Sequence, residues 1–238
     1  MVGRLKVNLG ENLRRVQERI VAAAERVGRD PSEVTLVAVT KTHPPEIIRA
    51  AYELGLRDFG ENRVEEAADK ISKLPEDITW HMVGHLQSRK AALAADLFDI
   101  IHSVDSVKLA RRLDRFCAER NRLMPVLLEI NVSGEVSKYG FPLADRDMLG
   151  AAVAEMLALS HVRIEGLMTM APIVSDPEEA RPVFRGLREL REALSARFPQ
   201  VEWRHLSMGM TDDFEVAIEE GATMVRIGRA IFGPRGTG

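Results

Sequence analysis

The chain opens with one helical pattern of apolar positions and then alternates between short apolar runs and further helical stretches. Apolar residues recur at spacings of three and four from Leu13 to Val27, and Asn8 with Glu11 gives a capping-box pattern ahead of them. This opening pattern predicts an amphipathic helix over residues 8–28.

Eight short runs rich in β-branched and apolar residues follow, each bounded by turn-forming residues. They lie at residues 35–40, 56–60, 79–84, 99–104, 125–132, 162–168, 201–207 and 222–228. Such runs are typical of buried parallel strands. The helical stretches between them have readable starts, among them Ser106, Asp176 and Thr211.

Strands that alternate with helices indicate an α/β fold with right-handed βαβ units, either a doubly wound sheet or a closed barrel. Eight units within 238 residues favour the barrel. We therefore expect a single (β/α)₈ TIM barrel over residues 1–238, preceded by an extra N-terminal helix.

Composition and charge argue against a nucleic-acid-binding, membrane or secreted protein. The chain is 45% hydrophobic and 29% charged, and its net charge of −3 provides no basic field for nucleic acid. No run approaches the ~18 apolar residues of a membrane span, and the charged N-terminus lacks the pattern of a secretory signal. We expect a cytoplasmic protein without nucleic-acid or membrane partners. The single cysteine, Cys117, excludes an internal disulfide and is predicted to lie in the core.

Candidate chemistry lies just after the strands, because barrels bind ligands at the carboxyl ends of their strands. Lys41 follows the first predicted strand. On position alone it is a solvated side chain. In a barrel mouth of low dielectric constant, its amine would instead be suited to forming a Schiff base.

The last two strands end in glycine-containing loops. Ser207 and Gly209 precede the helix predicted to begin at Thr211, and Gly228 follows the final strand. These loops either make tight turns or offer backbone N–H donors to a phosphate, as barrels often do after strands 7 and 8. With a lysine beside them, they predict a site for a phosphorylated carbonyl compound.

The remaining polar candidates have more ordinary interpretations as well. Asn62 follows the second strand and is either a ring-binding amide or a helix N-cap. His81 and His85 are four residues apart, but Gly84 and the strand pattern argue against a helical metal site, so no metal is expected. His102 and His205 are predicted to make hydrogen bonds inside the barrel or at its rim.

Eight motifs in order carry a resemblance to a known family. They are VAVTKTHPP, FGENRVEEA, HMVGHLQSRK, IHSVDS, INVSGEVSKYG, IEGLMTM, LSMGMTDDFEVAIEEG and VRIGRAIFG. Over residues 35–233 the chain resembles the pyridoxal phosphate homeostasis proteins, whose fold is the barrel of the alanine racemase N-terminal domain.

This resemblance implies pyridoxal 5′-phosphate (PLP) bound as a Schiff base on Lys41, with Asn62 beside the ring. It also implies that Arg226 faces the pyridine nitrogen. The implied phosphate ligands are Ser207, Gly209, Gly228 and the backbone at Arg229. The chain departs from the family at Arg229, where Thr or Ser is frequent, and at Glu66, where many relatives have Gln at the rim.

The resemblance implies a monomeric carrier that stores, buffers or delivers PLP, with apo PLP-dependent enzymes as partners and no amino-acid turnover. The alternative is a PLP-dependent racemase or decarboxylase. Against it, the chain stops five residues after Gly233, without the β-domain of such enzymes, and an arginine at the ring nitrogen weakens the electron sink. A Schiff-base aldolase is a third hypothesis. Such enzymes generally place their lysine on a central strand such as the sixth, and the sixth predicted strand of this chain carries no lysine.

Overall fold

Eight parallel strands close into a barrel in the computed structural model, which describes residues 2–135 and 138–233. The strands in chain order are β1 (Thr35–Val39), β2 (Asp58–Glu61), β3 (Thr79–Met82), β4 (Ile100–Val104), β5 (Met124–Asn131), β6 (Phe141–Pro142), β7 (Val162–Met168), β8 (His205–Ser207) and β9 (Met224–Ile227). The two-residue strand β6 only extends the sheet beside β5. The other eight form the ring, which the pairing of β9 with β1 closes. Each overlaps one predicted run, so the predicted (β/α)₈ barrel is confirmed.

Helices surround the barrel. They are α1 (Val2–Arg26), α2 (Pro45–Glu53), α3 (Val64–Ile71), α4 (Ala91–Leu97), α5 (Val107–Ala118), α6 (Arg146–Met156), α7 (Arg181–Arg197), α8 (Phe214–Glu219) and α9 (Arg229–Phe232). The extra N-terminal helix is confirmed, but it begins at Val2. Asn8 and Glu11 therefore lie inside it, and their interpretation as its start was wrong.

Side-chain caps mark two of the predicted starts. Ser106 Oγ accepts a hydrogen bond from Leu109 N at 3.3 Å and begins α5. Asp176 Oδ1 accepts one from Glu178 N at 3.0 Å and begins the 3₁₀ turn that leads into α7. Both contacts satisfy backbone donors that a helix start leaves without partners.

The predicted helix start at Thr211 was wrong, because α8 begins at Phe214 and residues 211–213 form a turn. The cause is Asp213, whose carboxylate accepts a hydrogen bond from Met210 N at 2.5 Å. That contact favours a turn over continued helix. The short helix α9, directly after Gly228, was not predicted.

The two faces of the barrel wall differ in chemistry. Outward-facing residues such as Phe59, Ile101 and Leu128 belong to one large core shared with the helices. A separate apolar cluster belongs to the inward-facing residues and consists of Val37, Val39, Val83, Ile100, Leu127, Met168 and Met224. Because side chains alternate along a strand, His81, His102, Glu129 and Arg226 also face inward. The barrel interior thus contains buried polar groups above and beside its apolar layer.

Cys117 lies fully buried on α5, as predicted. None of the helices within the described residues is both long enough and apolar enough to cross a membrane.

Candidate functional site

A cavity of about 550 Å³ lies at the carboxyl ends of the strands and brings together five of the seven predicted site residues. These are Lys41, Asn62, Arg226, Gly228 and Arg229. The pairing of Ala38 with Ile227 between β1 and β9 explains why Lys41 and Gly228 are close. Ser207 and Gly209 are not among the lining residues.

Lys41 sits in a tight turn that follows β1. His43 N donates to Thr40 O at 3.0 Å across this turn, and Thr42 has a φ of 67°. A β-branched residue rarely adopts that left-handed conformation, which stores roughly 1–3 kcal/mol of strain. The turn that presents Lys41 therefore needs contacts that hold it in place.

An ionic cluster, consisting of the buried Glu61 and Lys70 and the half-buried Glu66, supplies those contacts. Lys70 Nζ donates to Thr40 O at 2.9 Å, to Glu61 Oε1 at 2.8 Å and to Glu66 Oε1 at 2.6 Å. Glu66 Oε1 also accepts from Thr42 N at 2.5 Å. The cluster thus holds the backbone on both sides of Lys41, and Glu66, which was expected at the rim, stabilises the lysine turn.

The pKa values of the two carboxyl groups in this cluster are shifted in opposite directions. Burial raises the pKa of Glu61, and hydrogen bonds from Lys70 and Thr40 offset only part of that effect. Burial also tends to raise the pKa of Glu66. The hydrogen bonds that Glu66 accepts from Lys70 and from the Thr42 N–H outweigh the effect of burial, so the pKa of Glu66 is lowered. Glu66 is therefore the member of the cluster that is stabilised as an anion.

Asn62 follows β2, and a close backbone approach fixes its position. A Cβ at Gly84 would lie 2.4 Å from Asn62 O and 2.7 Å from Asn62 Cα, so only glycine fits there. The side chain of Asn62 does not cap α3, whose N-cap is Arg63. Its Oδ1 is buried and has no hydrogen-bond partner among the described residues. The alternative interpretation as a helix cap was wrong, and the amide is left available to a ligand.

Arg226 forms the floor of the cavity. Hydrogen bonds to a residue of β8 and to the backbone after β7 hold its side chain there. Its Nη1 donates to Ser207 Oγ at 2.6 Å and its Nη2 to Thr169 O at 2.8 Å. Burial lowers the pKa of Arg226 to about 10, against the opposing charges of Asp213 and Glu129. The guanidinium is therefore cationic at neutral pH. Ser207 is fully buried behind it and does not face the cavity.

The loop after β8 is shaped by Gly209, which has a φ of 93°. A Cβ there would lie 2.6 Å from Ala217 Cβ and 2.9 Å from Phe214 Cα, so glycine lets the loop pack on α8. The next residues, Met210 and Thr211, reach the cavity lining. Gly209 thus shapes the loop, while its successors face the ligand space.

Arg229 and Asp212 both line the cavity and form an ion pair with each other at its rim. Their side chains are exposed, so this pair contributes little to stability. Thr211 Oγ1 accepts a hydrogen bond from Ala230 N at 3.4 Å, which joins the loop after β8 to α9. The two loops therefore form one continuous wall beside Gly228.

Glu129 on β5 is a second buried acid of the barrel interior. Its Oε2 has no hydrogen-bond partner among the described residues. Burial, together with the negative charge of Asp105 and against the positive charge of Arg226, raises its pKa to about 7. The charge of this carboxyl therefore changes near neutral pH.

His102 lies buried inside the barrel and makes hydrogen bonds there, as the sequence predicted. His81 and His102 hydrogen-bond to each other at 2.9 Å within the barrel. In the described part of the chain, no group of three or more His, Cys, Asp or Glu side chains is arranged to hold a metal ion.

Sequence reasoning missed several lining residues, namely Val39, His43, Val83, Met170, Ile173, Met210, Asp212 and Gly233. The position of Met210 and Asp212, one and three residues after Gly209, was a usable signal. His43 is two residues from Lys41 and was equally open to prediction. Met170 and Ile173 lie in the loop after β7, where nothing in their residue types indicates a ligand.

Comparison with known proteins gives consistent matches. The profile of the family described as alanine racemase, N-terminal domain, matches residues 11–236. A protein of Aquifex aeolicus named pyridoxal phosphate homeostasis protein is 44% identical, over 96% of this chain and 99% of its own length. The Escherichia coli protein of the same name is 43% identical, over 96% of this chain and 97% of its own.

Solved structures give the same picture. PipY of Synechococcus elongatus with PLP bound is 41% identical and has a TM-score of 0.79, covering 92% of this chain and 100% of its own. An alanine racemase of Clostridium difficile has a TM-score of 0.71 at 14% identity. It matches 97% of this chain but 57% of its own length, and this likeness concerns the fold alone.

The lysine turn gives a first prediction. Glu66→Ala removes the acceptor of the Thr42 N–H and one partner of Lys70, so we expect a loss of about 1–3 kcal/mol in the free energy of unfolding. Glu66→Gln keeps a side-chain oxygen and is expected to lose less than half as much. Urea unfolding followed by circular dichroism measures both.

Glu65→Ala is the matched control for this prediction, because Glu65 is exposed and its one ion-pair partner within residues 2–135 and 138–233 is Lys90. We expect no resolvable change in the free energy of unfolding there, because solvent screens an exposed ion pair. Thr42→Gly relieves the left-handed strain and should recover part of the stability lost in Glu66→Ala. Equal losses in the Glu65 and Glu66 variants would contradict the role given to the cluster.

Glu129 gives a second prediction, on pH dependence. Its folded-state pKa of about 7 lies above its ordinary value of 4.5, so the folded protein keeps this proton longer than the unfolded chain. Its contribution to stability therefore falls as pH rises from about 4.5 to 7 and stays lost above that. Compared with the wild type, Glu129→Gln should be about 1–3 kcal/mol more stable at pH 8 and little changed at pH 5.

Urea unfolding at the two pH values measures this difference. Glu202→Gln, at an exposed carboxyl paired with Arg204, is the control and should show no such pH-dependent gain. A Glu129→Gln variant with the same pH profile as the wild type would show that the pKa of Glu129 is not raised in the folded protein.

Proposed function

Because the chain belongs to the alanine racemase N-terminal domain family and, within it, to the pyridoxal phosphate homeostasis proteins, we propose that it binds PLP and takes part in the homeostasis of this cofactor. One observation carries the proposal. Lys41 shares a cavity with Asn62, Arg226 and Gly228, in a chain 41% identical to a protein solved with PLP bound.

The residues present fit this ligand. The buried Asn62 Oδ1 has no hydrogen-bond partner in the part of the chain that the structure describes, and an amide can present either its oxygen or its nitrogen to the hydroxyl of the ring. Arg226 offers a buried cation to the ring nitrogen. The cavity of about 550 Å³ is large enough for a ligand of this size.

Lys41 is the residue proposed to hold the cofactor covalently as a Schiff base. PLP supplies an aldehyde, an electrophile that condenses with primary amines. The turn at residues 40–43 presents the Lys41 side chain to the cavity, and the cluster of Glu61, Glu66 and Lys70 keeps that turn in place. Lys41 would therefore meet the aldehyde without a large rearrangement of the backbone.

The phosphate is proposed to lie against the wall formed by the loops after β8 and β9. Gly228, the backbone at Arg229 and the hydroxyl of Thr211 line that wall and would donate to it. Gly209 supports the wall by letting the first loop pack on α8. The Arg229 guanidinium, already at the rim beside Asp212, adds a positive charge there.

We further propose that the protein stores, buffers or delivers PLP as a monomer, for apo PLP-dependent enzymes, and does not turn over amino acids. The names of its relatives support a homeostasis role. Arg226 can only donate to the ring nitrogen, which leaves the ring a weak electron sink. The rim is also open to water, since Ile173 is 99% exposed. Catalysis of carbanion chemistry depends on dry, preorganised sites, whereas release benefits from an open one.

A covalent label tests the binding site. Treating the PLP-loaded protein with borohydride should fix a pyridoxyl group on the peptide that contains Lys41, because that amine is the one facing the cavity. Peptide mass spectrometry reads the position. Lys41→Arg keeps the charge but cannot form the bond and should carry no label. A label on another lysine in the wild type would contradict the assignment of Lys41.

Turnover separates a carrier from an enzyme. The loaded protein is incubated with L- and D-amino acids in deuterated water, and racemisation, decarboxylation and Cα exchange are measured. We expect rates far below the ~1 s⁻¹ of ordinary enzymes. An apo PLP-dependent enzyme mixed with the loaded protein should gain activity. Repeated turnover of any amino acid at enzyme rates would overturn the carrier proposal and favour the racemase or decarboxylase reading.

A further inference from the structure

Behind Arg226, a chain of four hydrogen bonds crosses the barrel interior to the amino-terminal end of β2. Ser207 Oγ lies 2.6 Å from Arg226 Nη1 and 2.8 Å from His102 Nδ1. His102 Nε2 lies 2.9 Å from His81 Nδ1, and His81 Nε2 lies 3.0 Å from Asp58 Oδ1. We call these five residues the Asp58–Arg226 relay.

The relay is buried except at one end. His81, His102, Ser207 and Arg226 are all at most 4% exposed, whereas the side chain of Asp58 is 33% exposed. Asp58 starts β2, and Arg226 lies near the end of β9 at the cavity. The relay therefore connects the floor of the ligand cavity with a carboxylate at the opposite end of the barrel.

The two ends determine where every proton of the relay lies. A guanidinium can only donate, so Ser207 Oγ accepts from Arg226. A carboxylate can only accept, so Asp58 requires the proton of a neutral His81 on Nε2, which leaves His81 Nδ1 to accept from His102 Nε2 and His102 Nδ1 to accept the proton of Ser207. With Nδ1 as the acceptor, a neutral His102 carries its proton on Nε2 and donates it to His81 Nδ1. His81 then carries its proton on Nε2 and donates it to the Asp58 carboxylate.

This is the one arrangement with neutral histidines that satisfies all four bonds. His102 is neutral because burial, together with the nearby guanidinium of Arg226, holds its pKa well below the ordinary range. Turning either imidazole to its other tautomer would bring two donors or two acceptors together in a buried space, which is costly. Ser207 consequently has no proton left for a ligand.

We propose that the Asp58–Arg226 relay is a positioning device, in which Asp58 sets the proton order that holds Arg226 in one orientation at the cavity. Ser207, His102 and His81 act on the site through Arg226 and do not touch the ligand. The role assigned to Ser207 thus differs from the phosphate contact that the sequence resemblance implied. The effect on PLP rests on the proposed function, but the proton order is a property of the protein alone.

The proton order is tested first, in the ligand-free protein. Nitrogen-15 NMR of histidine-labelled protein distinguishes protonated from unprotonated ring nitrogens. We expect both His81 and His102 to carry their proton on Nε2. A proton on Nδ1 of either residue in the neutral form would overturn the relay, whatever the protein binds.

The long-range effect is tested by substituting Asp58, which lies outside the cavity lining. Asp58→Leu removes the final acceptor and leaves His81 Nε2–H unpaired, so we expect mixed histidine tautomers and about tenfold weaker PLP binding. Asp58→Asn retains a side-chain oxygen that can accept the same hydrogen bond. It should keep the wild-type tautomers and bind PLP within about threefold of the wild type.

Asp77→Leu is the matched control. Like Asp58, Asp77 lies at the amino-terminal end of the barrel, two residues before β3, and it accepts a hydrogen bond from Tyr52 at 2.7 Å, but no hydrogen bond among the described residues links it to Arg226. It should change neither the tautomers nor PLP affinity. Wild-type tautomers and affinity in Asp58→Leu, or an equal loss of affinity in Asp77→Leu, would overturn the proposal.

The outcomes separate the two proposals. Failure of the wild-type protein to bind PLP would contradict the proposed function, while the tautomers would still decide on the relay. Normal PLP binding by the wild type with the wrong tautomers would contradict the relay alone. If Asp58→Leu does not fold, the tautomers of the wild type and of Asp58→Asn provide the test.

Discussion

The parallel pairing of β9 with β1 is the constraint on which the site depends. It closes the barrel, and because all barrel strands run in the same direction, their carboxyl ends meet at one rim. Residues more than 180 positions apart in the chain, such as Lys41 and Gly228, become neighbours for that reason alone. A shift of register by one residue would turn Arg226 out of the interior and Ile227 into it, so the packing of the wall also fixes the chemistry of the cavity.

Two buried polar networks support the site from different sides of the barrel wall. The cluster of Glu61, Glu66 and Lys70 lies between β2 and α3 and holds the turn of Lys41. The Asp58–Arg226 relay lies inside the barrel and holds Arg226. Buried charges destabilise a fold unless they are paired and hydrogen-bonded, so neither network adds to stability as an apolar core would. Their effect is to restrict the lysine turn and the guanidinium to a few orientations.

The fold was predictable because each barrel strand coincides with a short apolar run that is visible in the local sequence. β1 and β9 are short β-branched runs between turn residues, and the inward and outward faces then follow from the pleat. The lysine turn was harder, since Thr42 adopts a left-handed conformation that its residue type disfavours and that distant Glu66 stabilises. The prediction that α8 starts at Thr211 was wrong for a similar reason, because the side chain of Asp213 binds the backbone of Met210. Ser207 shows most clearly what the sequence alone could not predict. Sequence places it beside Gly209, but only the pairing of strands across the barrel shows that Arg226 and His102 both use its hydroxyl.

The site combines a fixed floor with an open rim, and this contrast bears on what it can do. Arg226 and the lysine turn are held by buried contacts before any ligand arrives, so binding requires little ordering of these groups. At the rim, Ile173 is fully exposed, and Arg229 forms an ion pair with the exposed Asp212. Solvent therefore reaches the ligand side of the cavity, where it competes with every hydrogen bond that would stabilise developing charge. A fixed floor favours tight and specific capture, and an open rim favours exchange with an incoming amine. Together they favour the proposed role of a carrier that holds a cofactor and gives it up.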